Sequence, residues 1–245
     1  MPGIRYLAEA YEAREPGRPG GTSGPAVVGV PTGRLVTDAC QRLTRDRAAE
    51  WRDLHREGAP GLCPEAPRDE IDEVMAEVYE NVSNGVYRAV FGTVLDGYAA
   101  AREGVSGRLE LLSRRLTDRR NLAGATIAEA DIRLSATLVR FDAVHHGHFP
   151  RSRRKVTEDP VRWACARDPR RTPGFGDAVG LDPVKRHRHQ VHEGTDPSRI
   201  VPLGPDPSGW LTPHGRESPG GRPFGDGTPP GPVREGEEVP AEGRP

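Results

Sequence analysis

The chain has 245 residues, enough for one or two domains, with 34% hydrophobic residues, 30 Gly, 25 Pro and a net charge of −1. The Gly and Pro excess excludes packed core throughout, and the near-zero charge excludes global steering of nucleic acid. No run approaches the roughly 20 apolar residues that span a bilayer, so no membrane partner is expected.

Residues 4–13 form a short amphipathic helical fragment that stops at Pro16, followed by a Pro/Gly breaker region. Two short apolar runs around Pro31-Thr-Gly33 predict a β-hairpin. Asp38 is placed to cap a helix from Ala39 to about Trp51. A two-stranded hairpin with one helix buries little core, so this part must lean on something else or stay loosely folded.

From Pro67, which suits a first helical turn, Ile71, Val74, Met75, Val78, Tyr79 and Val82 keep helical spacing, and residues 81–85 end or bend that helix. A second helix is expected from about Tyr87 to Leu116, with Val105, Leu109, Leu112 and Leu116 on one face. Gly97, Gly104 and Gly107 weaken it, each by ~1 kcal/mol against Ala.

The stretch AEADIRLSATLVRFDAVHHGHF, residues 128–149, is apolar on nearly every side and reads as the central buried helix. Arg133, Arg140 and Asp142 interrupt it, as a buried ion-pair system or as a pocket edge. Its cap is Ala128 with Asp131 three residues on and Ile127 and Ile132 as a staple pair; Thr126 with Glu129 offers an earlier cap. Short helices are expected over residues 160–167, limited by Pro169, and over residues 174–179. From Pro213 the chain is nearly free of apolar residues and reads as disordered.

The segments ENVSNGVYRAVF (80–91), EADIRLSATLVRFDAVHHGHF (129–149), RTPGFGDAVGLDPVKRH (171–187) and IVPLGPD (200–206) together resemble the glutathionyl-hydroquinone reductases, the Xi class of glutathione transferases, related to the omega-like class. The resemblance covers most of residues 62–217. It implies a mainly α fold: a glutathione-transferase C-terminal helical domain preceded by a partial thioredoxin-like hairpin and helix. The implied division is residues 1–60 for the thioredoxin-like remnant, 61–190 for the all-α domain, 191–217 for a family extension and 218–245 for a disordered tail. It also implies glutathione as co-substrate, quinone or hydroquinone small molecules as partners, and a homodimer formed through the helical domain.

In such enzymes a Cys-Pro-aromatic-Cys motif supplies a thiolate that takes the glutathionyl sulfur, and a second glutathione resolves the mixed disulfide. No cysteine here stands in that motif, and the upstream half of the thioredoxin-like domain is not seen. Gly24-Pro25 matches the position of a cis proline whose preceding backbone pairs with glutathione. Ala39-Cys40 matches the Glu-Ser that holds the γ-glutamyl carboxylate at a helix start, so both side chains of that anion site are lost. Tyr87 keeps the first tyrosine expected to hold and protonate the hydroquinone oxygen. His145 stands where another tyrosine is expected, and Arg188 and His189 stand where the pair Tyr-Tyr is expected. Cys63 and Cys165 replace aromatics, and Pro169 replaces a helical leucine. Tyr→Cys, Tyr→His and Leu→Pro are each reachable by a single codon transition, and together the changes imply relaxed constraint and impaired or absent turnover. The alternative is a non-catalytic dimerisation or ligand-binding module on the same helical domain.

Blander roles compete for these residues. Tyr87 can simply pack at a helix start. Six of the eight histidines fall in HHGH and HRHQVH, and they read as pocket-lining and surface groups rather than as a zinc or nickel site. Residues 145–190 carry eleven Lys or Arg against five Asp or Glu, a basic face suited to anionic glutathione conjugates. Without interleaved aromatics or a binding motif it does not read as a nucleic-acid surface. Cys40, Cys63 and Cys165 are too few and too scattered for a disulfide framework or structural zinc. Cys40 begins a helix, where a thiolate is favoured, but an inert thiol is the commoner outcome. The N-terminus has no apolar signal core, and a cytoplasmic protein is expected.

Overall fold

The computed structural model describes residues 3–85, 95–145, 153–191, 196 and 198–228. It divides into two compact units, Met1–His55 and Arg56–Pro245.

The first unit holds α1 (Leu7–Arg14), β1 (Val27–Val28), β2 (Leu35–Thr37) and α2 (Cys40–Ala49), followed by a 3-10 turn, Arg52–Leu54. The strands pair antiparallel, Val27 opposite Thr37 and Val28 opposite Leu35. The predicted turn closes through the Gly29 carbonyl, which accepts from the N–H of Thr32 at 3.2 Å and of Gly33 at 2.8 Å. Gly33 has φ 63°, a left-handed conformation that glycine adopts without strain. Helix α1 is knitted to the hairpin: Arg14 donates to the Val36 carbonyl at 2.6 Å and Arg34 to the Ala13 carbonyl at 2.6 Å. The unit's buried apolar residues are Ala10, Tyr11, Leu35 and Ala48, a small core, as the short elements dictate.

One expectation fails here. The N-cap of α2 is Ala39, with no side-chain cap bond. Asp38 does not cap, because its carboxylate accepts from the Tyr11 hydroxyl at 3.1 Å and lies 3.6 Å from Arg18.

The second unit is helical. Helix α3 (Arg68–Glu77) runs into a π turn, Val78–Ser83, and Pro67 is its N-cap rather than its first-turn residue. Helix α4 is described from Leu95 to Thr117; residues 86–94, where its start was expected, lie outside the described residues. Helix α5 (Glu129–Arg140) continues as a π turn, Phe141–His145, and its expected last four residues lie outside the described residues. Helices α6 (Pro160–Arg171) and α7 (Leu181–Arg186) follow, the latter running into a π turn, His187–Val191. The predicted apolar faces meet in one core. Val74, Val78 and Val82 pack with Val105, Leu109, Leu112 and Leu116 of α4 and with Leu134, Leu138 and Phe141 at the centre.

The three polar interruptions of the central helix separate. Asp142 accepts from the N–H of Val156 at 2.7 Å and of Thr157 at 3.1 Å, and from the Thr157 hydroxyl at 2.8 Å. It thus fixes the loop that leads to α6, whose own cap is Asp159, accepting from the Arg162 N–H at 2.9 Å. Arg133 lies over the Tyr79 ring at 5.4 Å. Arg140 is at a pocket edge.

Three further expectations are corrected. Pro169 does not limit α6, which runs on to Arg171. The last turn is held from outside: Arg120 grips Asp168 through two bonds of 2.8 and 2.9 Å, and Arg170 donates to the Gly176 carbonyl at 2.5 Å. Residues 174–179 are turns rather than a helix, because Gly174 is left-handed at φ 85° and its N–H is taken by the Asp177 carboxylate at 2.9 Å.

Residues 213–228 are ordered against the helices rather than disordered; residues 229–245 lie outside the described residues. Backbone partners replace the missing apolar burial. Arg216 donates to the carbonyls of Leu116, Arg119 and Arg120 at the end of α4. The Pro223 carbonyl accepts from the Ile127 N–H at 2.7 Å, and the Thr228 N–H donates to the Gly58 carbonyl at 2.8 Å.

Candidate active site

In the first unit the Gly24–Pro25 peptide is cis, as its position in the resemblance implies. Ala39 and Cys40 stand at the start of α2. The Cys40 N–H donates to the Asp38 carbonyl at 2.7 Å, so the chain itself occupies that donor. The Asp38 carboxylate precedes it by two residues.

In the second unit Tyr87 lies outside the described residues. His145 is buried in the π turn after α5 and meets the Phe141 ring edge-on at 5.9 Å. Arg188 is half-buried and His189 buried, both in the π turn after α7. Helix α7 packs against the Phe141–His145 turn, so the two histidine stretches sit on neighbouring elements.

The best-defined group is His189. Its Nδ1 lies 2.7 Å from Asp196 Oδ2, and both side chains are about 95% enclosed, at 5% and 6% exposure. A carboxylate only accepts, so Nδ1 is the donor of this bond. Nε2 is buried and, among the described residues, has no hydrogen-bond partner. The Ser198 hydroxyl donates to the other Asp196 oxygen at 2.5 Å. An imidazole oriented in this way can accept a proton from, or hydrogen-bond to, a phenolic oxygen. Sequence reading missed Asp196: it lies in the segment Gly-Thr-Asp-Pro-Ser, and no periodicity links it to His189.

Cys63 is buried and Cys40 half-buried. Burial pushes the Cys165 thiol up to about 12, so it is a neutral wall group. It lines a cavity of about 30 Å³ with Arg120, Asp131 and Asp168. Among the described residues no three His, Cys, Asp or Glu side chains are placed to share a metal ion, and His146, His148 and His192 lie outside them.

Comparison with known proteins decides the family. Residues 96–162 match the glutathione S-transferase C-terminal domain. A crystallised glutathione transferase from Gordonia bronchialis is 52% identical with a TM-score of 0.92, over 98% of this chain and 75% of that one. Glutathione transferase Xi 1 from Trametes versicolor is 31% identical with a TM-score of 0.79, over 86% of this chain and 73% of that one. The chain belongs to the Xi-class glutathione transferases. Glutathionyl-hydroquinone reductase PcpF of Sphingobium chlorophenolicum is 34% identical over 205 residues, 83% of this chain. The chain spans 64% of that relative's length. As a Xi-class transferase the chain has its family's fold: a hairpin unit followed by an all-α unit around the central helix α5.

Proposed function

We propose that the protein is a glutathione transferase of the glutathionyl-hydroquinone reductase type, with glutathione as co-substrate and quinone-type small molecules as partners. The observation that carries this reading is the match to PcpF across most of the chain. Glutathione is bound by the Gly24–Pro25 backbone and the Ala39–Cys40 helix start, weakly because the two side chains that hold its carboxylate are gone. The phenolic oxygen is met by Tyr87, His145, Arg188 and His189. The functional protein is a cytoplasmic homodimer formed through the helical unit, which corresponds to residues 61–190 of the four-part division. Among the described residues no helix is long and apolar enough to cross a membrane.

Turnover by this chain is impaired. Reduction requires a thiolate that accepts the glutathionyl sulfur, and these 245 residues hold no Cys-Pro-aromatic-Cys. Cys165 is held neutral by burial, and Cys40 shares its helix start with Asp38. Calorimetric titration with glutathione, paired with reduction of a glutathionyl-hydroquinone, tests both parts. Weak binding with turnover at least a thousandfold below a relative that carries the motif is the expected pair of results. Turnover that matches such a relative overturns the impairment, and absence of any glutathione binding overturns the co-substrate assignment.

A further inference from the structure

The π turn that carries His189 is fastened from its C-terminal side at three places. Lys185, at the end of α7, donates through Nζ to the carbonyls of Pro202, Leu203 and Gly204 at 2.9, 3.2 and 3.4 Å. Arg199 donates through Nε and Nη2 to the Gln190 carbonyl at 3.3 and 2.9 Å. Between these, Asp196 takes the Nδ1 hydrogen bond of His189 at 2.7 Å. Arg199 stands at φ 54°, the one non-glycine residue in the left-handed region among the described residues. Such strain persists where the surrounding contacts over-determine the backbone, and it concentrates at functional sites.

What these contacts fix is the orientation of one imidazole. His189 and Asp196 are both buried, and the second Asp196 oxygen is occupied by the Ser198 hydroxyl at 2.5 Å. A ring free to turn divides its time between two tautomers, and a carboxylate on one nitrogen removes that freedom. With Nδ1 donating, the neutral ring holds its lone pair at Nε2. That atom is buried without a partner among the described residues. Buried polar atoms are nearly always paired, so an unpaired one calls for a partner that arrives from outside. The complement of a lone pair is an O–H. A phenol or hydroquinone supplies one, whereas a quinone carbonyl or an aryl ether only accepts.

We infer that Asp196 is a positioning residue: with Ser198 it holds His189 as a hydrogen-bond acceptor, and the site thereby selects ligands that bring an O–H over ligands that only accept. This rests on the proposed reading of His189 as a group that meets the phenolic oxygen, and it adds which form of the ligand is taken. The selection needs neither glutathione nor a reactive cysteine.

The test uses the full chain without glutathione and two probes with the same ring system, 1-naphthol and 1-methoxynaphthalene. The parent should bind the naphthol about tenfold more tightly. Asp196→Ala and His189→Phe should each abolish that preference, whereas a preference set by the size of the extra methyl group would survive both. Asp196→Asn, whose amide oxygen still accepts from Nδ1, should keep it within a few-fold. Ring-nitrogen NMR shifts of isotope-labelled histidine supply a readout that needs no stable Asp196 variant. In the parent at about pH 8, His189 should be protonated at Nδ1 and bare at Nε2. A proton at Nε2 overturns the orientation. Equal binding of the two probes by the parent overturns the selection, and a preference that survives Asp196→Ala overturns the role of Asp196. Absence of glutathione binding strikes the co-substrate assignment and leaves these three readouts unchanged.

Discussion

Asp131 takes the backbone N–H of Ala128 at 2.9 Å, and Ala128 has no side-chain oxygen to give back. Half of a capping box is therefore built at the start of α5. The Ala128 backbone is in the extended conformation of an N-cap, φ −127° and ψ 173°, so a hydroxyl placed there would face the first-turn donors. Ala128→Ser should raise unfolding stability by about 1 kcal/mol in urea titration. A decrease would show that close packing of Ala128, fully buried beside Ile71 and Ala123, outweighs the cap.

The same carboxylate makes stability depend on pH. Burial pushes the Asp131 carboxyl up to about 7, against the pull of the backbone N–H groups of Leu122 and Ala128. The unfolded chain holds such a group at about 3.9. Between those values the folded form carries a proton that the unfolded form does not. This contribution is fully present at the acid end and is lost as pH rises through about 7, a difference on the order of a few kcal/mol. Urea midpoints should accordingly be higher at about pH 5 than at about pH 8 once other groups are subtracted, and Asp131→Asn should remove most of that slope. A slope that survives the substitution assigns it to other carboxylates.

How far the sequence could be read follows from which forces leave a pattern. Val105, Leu109, Leu112 and Leu116 fall on one helical face because burial imposes a period, and all four are in the core. The hairpin was legible because Pro31 and Gly33 have few other uses. Asp38 looked like a cap, but its carboxylate was already committed to Tyr11, a partner 27 residues away that no local rule indicates. Residues 213–228 looked disordered because their order rests on backbone hydrogen bonds, which composition does not record. The same holds at the site. His189 was chosen by its position in the family pattern, while Asp196, which orients it, was invisible before the chain was folded.

Arg216 shows what that backbone bonding is worth. It is buried at 5% exposure, and its guanidinium reaches three carbonyls around the end of α4, including Leu116 at 2.7 Å and Arg120 at 3.1 Å. A cation there also meets the negative end of the helix. Arg216→Ala should cost about 2–4 kcal/mol, read by urea titration. It should also speed amide exchange through residues 213–228. Full stability with unchanged exchange would mean that Pro223, Phe224 and Thr228 hold the segment unaided.

The His189–Asp196 pair is separable by a double-mutant cycle. Asp196→Ala leaves a buried imidazole N–H unsatisfied and should cost about 1–3 kcal/mol. His189→Phe removes the donor as well, so the double variant should lose less than the sum of the two single changes. Simple additivity would mean that the 2.7 Å contact contributes nothing beyond packing.

Glycines on α4 give the last prediction. Gly104 and Gly107 are exposed within the helix, and a Cβ added at either meets no heavy atom within 4 Å. Nothing in the fold requires them, and each carries the entropic cost of glycine in a helix interior. Gly104→Ala and Gly107→Ala should each add about 0.5–1 kcal/mol, raising Tm by roughly 2–4 °C per kcal/mol. Gly85 is the internal control, because a Cβ there would stand 2.8 Å from Val105 Cγ2 in the core. Gly85→Ala should therefore lower stability by about 1–3 kcal/mol. Thermal melts of the three variants decide it: if Gly85→Ala stabilises like the other two, the contact with Val105 is not tight.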